Sequence, residues 1–266
     1  MALRNIVRSV VPFPLRVEWV RLRRWPTWLS EHRCMALDKS ADGLDFVLSE
    51  RRSPLRRAHV ADERLQAGKE HNVALVAAKI DGIVIEPGKT FSFHHAVGRP
   101  SRLRGFWDGL ELHSGVPSHG VGGGACQVSN LLYLLAIEAG LDIVERHRHA
   151  LDLFPDHGRT APFGCGATVF YNSADLRFAN RLDMPVAIRL KIEAGHLAGQ
   201  IRSESDPGLK VEIYEVGHRF ERQGDAWWRE NRIRRRFIDA AGNVVSDEEV
   251  AHNLGRCLYD PENPDG

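Results

Sequence analysis

The chain has 266 residues, an apolar fraction of 43% and a formal net charge of +1. That is enough apolar material for a globular core, and the charge is too evenly balanced for wholesale attraction to nucleic acid. Four scattered cysteines, Cys34, Cys126, Cys165 and Cys257, form no CxxC or other metal-type pair. Neither a metal site nor a disulfide framework is expected, no cofactor is implied, and a reducing compartment is the simpler setting.

The first thirty residues mix arginine with Trp19, Trp25 and Trp28. Pro12, Pro14 and Pro26 are expected to break any long amphipathic helix there. Two readings stay open: peripheral membrane contact through residues 1–30, and a tail packed loosely on the body. The longest apolar stretch, Val10 to Leu15, holds two prolines and is too short for a signal-peptide core or a membrane span. A cytoplasmic location, with or without membrane contact, is therefore expected. Ala61 to Ile80 has helical periodicity, with Leu65, Val73, Val76, Ala77 and Ile80 on one face. Ile83–Ile85 and Thr90–Phe93 read as short strands around the Pro87-Gly88 turn. Val97 to Val116 reads as a glycine-rich loop that runs directly into HGVGGGACQVSNLLYLLAIEAG, His119 to Gly140.

That stretch carries the chemistry. Val128, Leu131, Leu132, Leu135 and Ile137 recur at helical spacing and Gly140 supplies a stop. Cys126 then sits at or just before the first turn of a buried helix, where unpaired N–H groups and the helix dipole would lower a thiol's pKa. The opposing reading is a buried structural cysteine after a tight turn. Gly122, Gly123 and Gly124 would let the backbone approach a substrate, and Gln127 could add an oxyanion donor. Leu141 to Ala150 reads as a strand with Ile143, Glu145, His147 and His149 on one face. A helix of about 21 Å followed by an antiparallel return puts residues 147–149 level with Cys126, and His149 is the closer match. Asp152, Asp156 and Asp175 are the candidates to orient the imidazole. Ala167 to Tyr171 reads as a further strand, and Tyr171 joins the three glycines as a substrate-binding residue.

Beyond it, Val186–Ile192, Leu197–Ile201, Lys210–Val216, Ile233–Ile238 and Val244–Val245 read as strands. The basic run Arg229–Arg236 reads as a solvated strand face rather than a nucleic-acid patch, and the glycines form no phosphate-binding loop because no Gly-Lys-Ser/Thr follows. The expected fold is α+β: a helix with an N-terminal cysteine on a mostly antiparallel sheet, and a β-rich C-terminal half. The expected organisation is an N-terminal extension over 1–59, a central domain over 60–205 and a β-rich extension over 206–266.

GKTFSFHHAVG, RGFWDGLEL, GVGGGACQVSNLLY, GLDIVERHRHALDLFPDHGR and PFGCGATVFYNSADLRFAN follow one another over about residues 60 to 205. In this order they resemble the VanW family, in a short form without appended cell-wall-binding modules. The resemblance implies a cysteine-dependent, L,D-transpeptidase-like acyl transferase with Cys126 as nucleophile and a histidine of ERHRH, His147 or His149, as its partner; the same parts without an amine acceptor would make a cysteine peptidase. Its substrate would be a peptide or cell-wall precursor. A non-catalytic protein that binds such a precursor is the alternative, and a membrane-surface interaction protein is a third.

Overall fold

The computed structural model of the chain describes residues 12–56, 62–113, 116–148, 151–152, 161–171 and 173–262. Helix α1 (Phe13–Glu31) is followed by strand β1 (Phe46–Pro54), helix α2 (Glu63–Ile80), short strands β2 (Val84–Ile85) and β3 (Thr90–Ser92), and the single-turn helix α3 (Phe93–Val97). The hairpin β4 (Asp108–His113) and β5 (Val116–Val121) leads into helix α4 (Ala125–Glu138). Short strands β6 (Asp142–Glu145), β7 (Leu151–Asp152) and β8 (Arg177–Ala179) come next, then the hairpin β9 (Val186–Glu193) and β10 (His196–Ser203). Three long strands close the order: β11 (Lys210–Gln223), β12 (Ala226–Ile238) and β13 (Val244–Cys257).

The fold is α+β. One sheet has the order β1-β10-β9-β2, a second β11-β12-β13-β7 and a third β3-β8-β6. The pairings are antiparallel except that of β13 with β7. The C-terminal half is β-rich. Among the described residues no helix is long and apolar enough to cross a membrane.

The core forms where α4 lies on the first sheet beside α2. Val128, Leu132, Leu135 and Ile137 of α4, together with Val73, Val76 and Ile80 of α2, have no solvent exposure. Each such side chain contributes roughly 1.5–3 kcal/mol by leaving water. A glycine sets how closely α4 approaches β10: a Cβ at Gly199 would lie 2.8–2.9 Å from methyl carbons of Leu131, Leu135 and Leu190. Ser49 of β1 donates from Oγ to Leu135 O at 2.9 Å, fixing the helix to the strand beside it.

The far end of α4 is closed by an arginine of the second sheet. Arg235 Nη1 donates to Ile137 O (3.3 Å) and Leu141 O (2.8 Å), while its Nε donates to Glu248 at 2.9 Å. A cation on the last carbonyls complements the helix dipole. Only the outward half of the run 229–236, Arg232, Arg234 and Arg236, is the solvated strand face expected of it. Period-two alternation turns Arg229, Asn231, Ile233, Arg235 and Phe237 inward, and the two buried cations are matched by Asp152 and Glu248.

Other expectations also change. α1 forms despite its prolines. Pro14 sits in the first turn, where its missing N–H would have had no partner, and only Pro26 lies inside. The expected loop 97–116 contains most of the β4–β5 hairpin, and this hairpin supports the glycine turn. The strand expected over 141–150 ends at Glu145. Residues 167–171 form no ladder strand, and only Phe170 makes an isolated bridge, to Ala174.

The glycine turn is a backbone crossing. A Cβ at Gly123 would lie 2.3 Å from Gly109 O, one at Gly109 would lie 2.6 Å from Gly123 O, and one at Gly68 of α2 would lie 1.9 Å from Asp108 O. Asn72 seals the crossing, donating to Trp107 O (2.9 Å) and Gly123 O (3.0 Å) and accepting from Trp107 N (2.9 Å). Gly122 and Gly124 adopt φ of 92° and 106°, and their Cβ positions would fall 2.6 Å from Pro100 and 2.9 Å from Lys69. The room expected for a substrate on this side is thus filled by protein. Gly123 lacks a left-handed backbone, so its substitution is decided by space alone. Gly123→Ala is expected to lower stability by about 3 kcal/mol or more in denaturant melts. Gly217→Ala, at φ 63° with nothing within 4 Å, should cost only about 1–2 kcal/mol. Equal losses would show that the crossing gives way cheaply.

Candidate active site

Cys126 is the second residue of α4, whose N-cap is Gly124. Its N–H belongs to a first turn that has no intrahelical acceptors. The half-buried sulfur points at the stretch Thr168–Val169, with Sγ donating to Val169 O at 3.7 Å. Burial pushes the thiol upward from its ordinary pKa; the Val169 hydrogen bond opposes this and the nearby Glu111 charge adds to it. The direction is opposite to the depressed thiol expected from the helix start, and loss of water around the sulfur is its main cause. The resting group is a neutral thiol.

His147 borders the same stretch. Thr168 N donates to His147 O at 2.8 Å, so the segments carrying the histidine and the cysteine meet at adjacent residues. The imidazole is held by a carboxylate that is not one of the three candidate aspartates: His147 Nε2 lies 2.9 Å from Glu145 Oε1. Burial acts to raise Glu145, but the His147 hydrogen bond, Arg24, the Asp175 N–H and Arg177 together bring its pKa below the ordinary value. An ionised carboxylate only accepts, so Nε2 carries the proton and Nδ1 is left as the basic nitrogen of the neutral ring. The signal was present in the i, i+2 spacing that put Glu145 and His147 on one face. Arg146 goes the other way, donating to Gly166 O at 2.8 Å and lying over the Tyr133 ring, 4.4 Å from its centroid.

The three aspartates considered as orienting groups are placed elsewhere or lie outside the description. Asp152 accepts from Arg229 (3.2 Å) and from Tyr259 OH (2.8 Å). Asp175 accepts from Ser92 Oγ (2.6 Å), His94 N (3.0 Å) and Arg177 Nε (2.9 Å). Asp156 and His149 lie outside the described residues.

Gln127 takes a positioning place rather than that of an oxyanion donor. Its Nε2 donates to Ser53 Oγ (2.8 Å) and Pro54 O (2.7 Å), so both amide hydrogens tie the start of α4 to the end of β1. The N–H groups of Gly122 and Gly123 are also engaged, with Trp107 O and Gly120 O at 3.0 Å each. Tyr171, two residues beyond Val169, meets the ring of buried His94 edge-on at 5.3 Å. A cavity of about 420 Å³ lies instead at the opposite end of α4, lined by Leu48, Glu138, Val211 and Phe237 among others. Twelve helical residues separate Glu138 from Cys126, about 18 Å.

A model of the family described as VanW like protein matches residues 68–202. These include the glycine crossing, Cys126, Glu145 and His147. The chain is 38% identical over 132 residues to the uncharacterized protein YoaR of Bacillus subtilis (strain 168), a match covering 48% of this chain and 41% of that protein. It is 26% identical over 202 residues to the vancomycin B-type resistance protein VanW of Enterococcus faecalis (strain ATCC 700802 / V583), covering 75% of this chain and 74% of that protein. No solved structure matches. With half of its length matched by the family model, and the glycine–cysteine turn inside that half, the chain belongs to the VanW-like family.

Proposed function

We propose that the chain is a cysteine-dependent acyl transferase acting on cell-wall peptides, in the manner of an L,D-transpeptidase. The observation that supports this reading most is that the thiol in a helix's first turn and the backbone of a histidine, whose imidazole a carboxylate orients, meet the adjacent residues Val169 and Thr168. The resistance named for the Enterococcus relative favours a cell-wall substrate. Because the resting thiol is neutral, His147 acts as a general base: Nδ1 takes the thiol proton as Sγ attacks the carbonyl of an L-centre in a tetrapeptide stem. The tetrahedral adduct collapses to a thioester, and the imidazolium returns its proton to the departing D-alanine amine. An amine of a second stem, or water, then resolves the thioester. Glu145 holds the ring and stabilises its charged form. His149 is the partner favoured by the strand-length argument, and the kinetics below separate the two.

The cavity remote from Cys126 favours a second reading, in which the chain binds a cell-wall precursor without chemistry. Release of D-alanine from a tetrapeptide stem distinguishes the two. Under the first reading Cys126→Ala abolishes release, His147→Ala lowers kcat by at least ~100-fold, and Glu145→Gln lowers it by ~10-fold with KM little changed. A larger loss in His149→Ala would transfer the base role to that residue. No release by the unaltered chain, with the peptide still bound, would leave the binding reading.

The thiol itself gives a pH test. Its pKa is raised in the folded chain, so alkylation of Cys126 by iodoacetamide should show a midpoint above the ~8.5 of a free cysteine. The measurement uses a Cys34→Ser background, since Cys34 is exposed. A midpoint below that value would mean that a thiolate–imidazolium pair exists before substrate arrives.

A further inference from the structure

Helix α1 is attached to the body by its polar side. Arg24 reaches Glu145 at 3.3 Å, Glu31 meets Arg177 at 2.7 Å, and Trp28 stacks on His95 with ring centroids 4.4 Å apart. The opposite side is an apolar stripe: Leu15, Trp19, Leu22, Trp25 and Leu29 recur every three or four residues and are each 55–63% exposed. An amphipathic helix on a globular body ordinarily turns that stripe inward. Here the ion pairs hold it outward, at a cost that water imposes on every exposed apolar side chain.

We infer that α1 seats this stripe in an anionic phospholipid surface. Charge complementarity selects the occupant. Residues 1–31 contain six arginines and two glutamates, a balance of +4, so the rest of a chain of total charge +1 carries −3. A net basic segment that carries a tryptophan-bearing apolar stripe matches an interfacial helix on acidic lipid. Within α1 the sequence has four arginines against two glutamates, and two such helices would repel one another, which argues against a second copy of the chain. The inner side of α1 carries Arg24, the partner of Glu145, so a seated helix would hold the Glu145–His147 pair next to the lipid surface. This inference does not depend on Cys126 having any activity.

The test is flotation of the full chain with vesicles of phosphatidylcholine containing phosphatidylglycerol, against vesicles of phosphatidylcholine alone. The chain should partition to the anionic vesicles, lose binding in high salt and show a blue shift of tryptophan emission. Leu22→Glu and Trp19→Glu should each lower the partition coefficient at least ~10-fold with melting unchanged, since both side chains face solvent. The inference fails if the unaltered chain stays with the lipid-free fraction, if it binds neutral vesicles equally well, or if Leu22→Glu partitions like the parent. It also fails if sedimentation shows a dimer that Leu22→Glu dissociates, because the stripe would then be an interface between copies.

Discussion

The contact on which the rest of the structure depends is the backbone crossing of Gly68, Gly109 and Gly123. Three chain segments far apart in sequence pass so closely that a single Cβ on any of them would enter a carbonyl oxygen or the atoms bonded to it. This contact sets where the β4–β5 hairpin releases the chain into α4, and so where the first helical turn begins. Asn72 then uses both ends of its amide to hold the crossing. The position of Cys126 follows, as do the direction of its N–H and the burial that keeps its thiol protonated. The glycine run contributes by packing against protein, and the sulfur faces Val169, next to the residue that meets the backbone of His147.

The opposite end of α4 is fixed by different physics. Arg235 leaves the second sheet to bind the last carbonyls of the helix, while Arg229 is buried against Asp152. Removing one member of such a pair strands a charge in the interior and costs more than the pair itself contributes. Together with Gln127 at the end of β1, these contacts hold α4 at both termini. The sulfur of Cys126, on its first turn, is therefore carried by a helix fixed at both ends rather than by a loop.

Much of this was legible in the sequence where period and turn chemistry agree. The apolar spacing from Val128 to Ile137 gave the buried helix, and Val186–Ile192 and Leu197–Ile201 gave strands β9 and β10. Gly109, Pro117 and Gly120 hid β4 and β5, because an extended strand against a glycine-bearing helix needs small residues where propensity favours branched ones. Pro14 concealed α1 because a proline in the first turn interrupts nothing. The inward arginines of β12 followed the same alternation as Ile233 and Phe237, but charge hid their burial until the partners on other strands were in place. Glu145 was visible on the His147 face, yet only the folded chain shows that Asp152 and Asp175 already have other partners. The protonation state of Cys126 was the least legible, since it turns on how much water the finished fold removes from the sulfur.

The central claim is that Cys126 becomes covalently acylated with help from an oriented imidazole. The most direct measurement is mass spectrometry of the intact chain, quenched in acid at short times after mixing with a tetrapeptide stem and followed by peptide mapping. The account predicts an acyl adduct on Cys126 with the mass of the stem less D-alanine, forming more slowly when His147 is replaced by alanine. A chain that binds the peptide while Cys126 stays unmodified at every time point would contradict it.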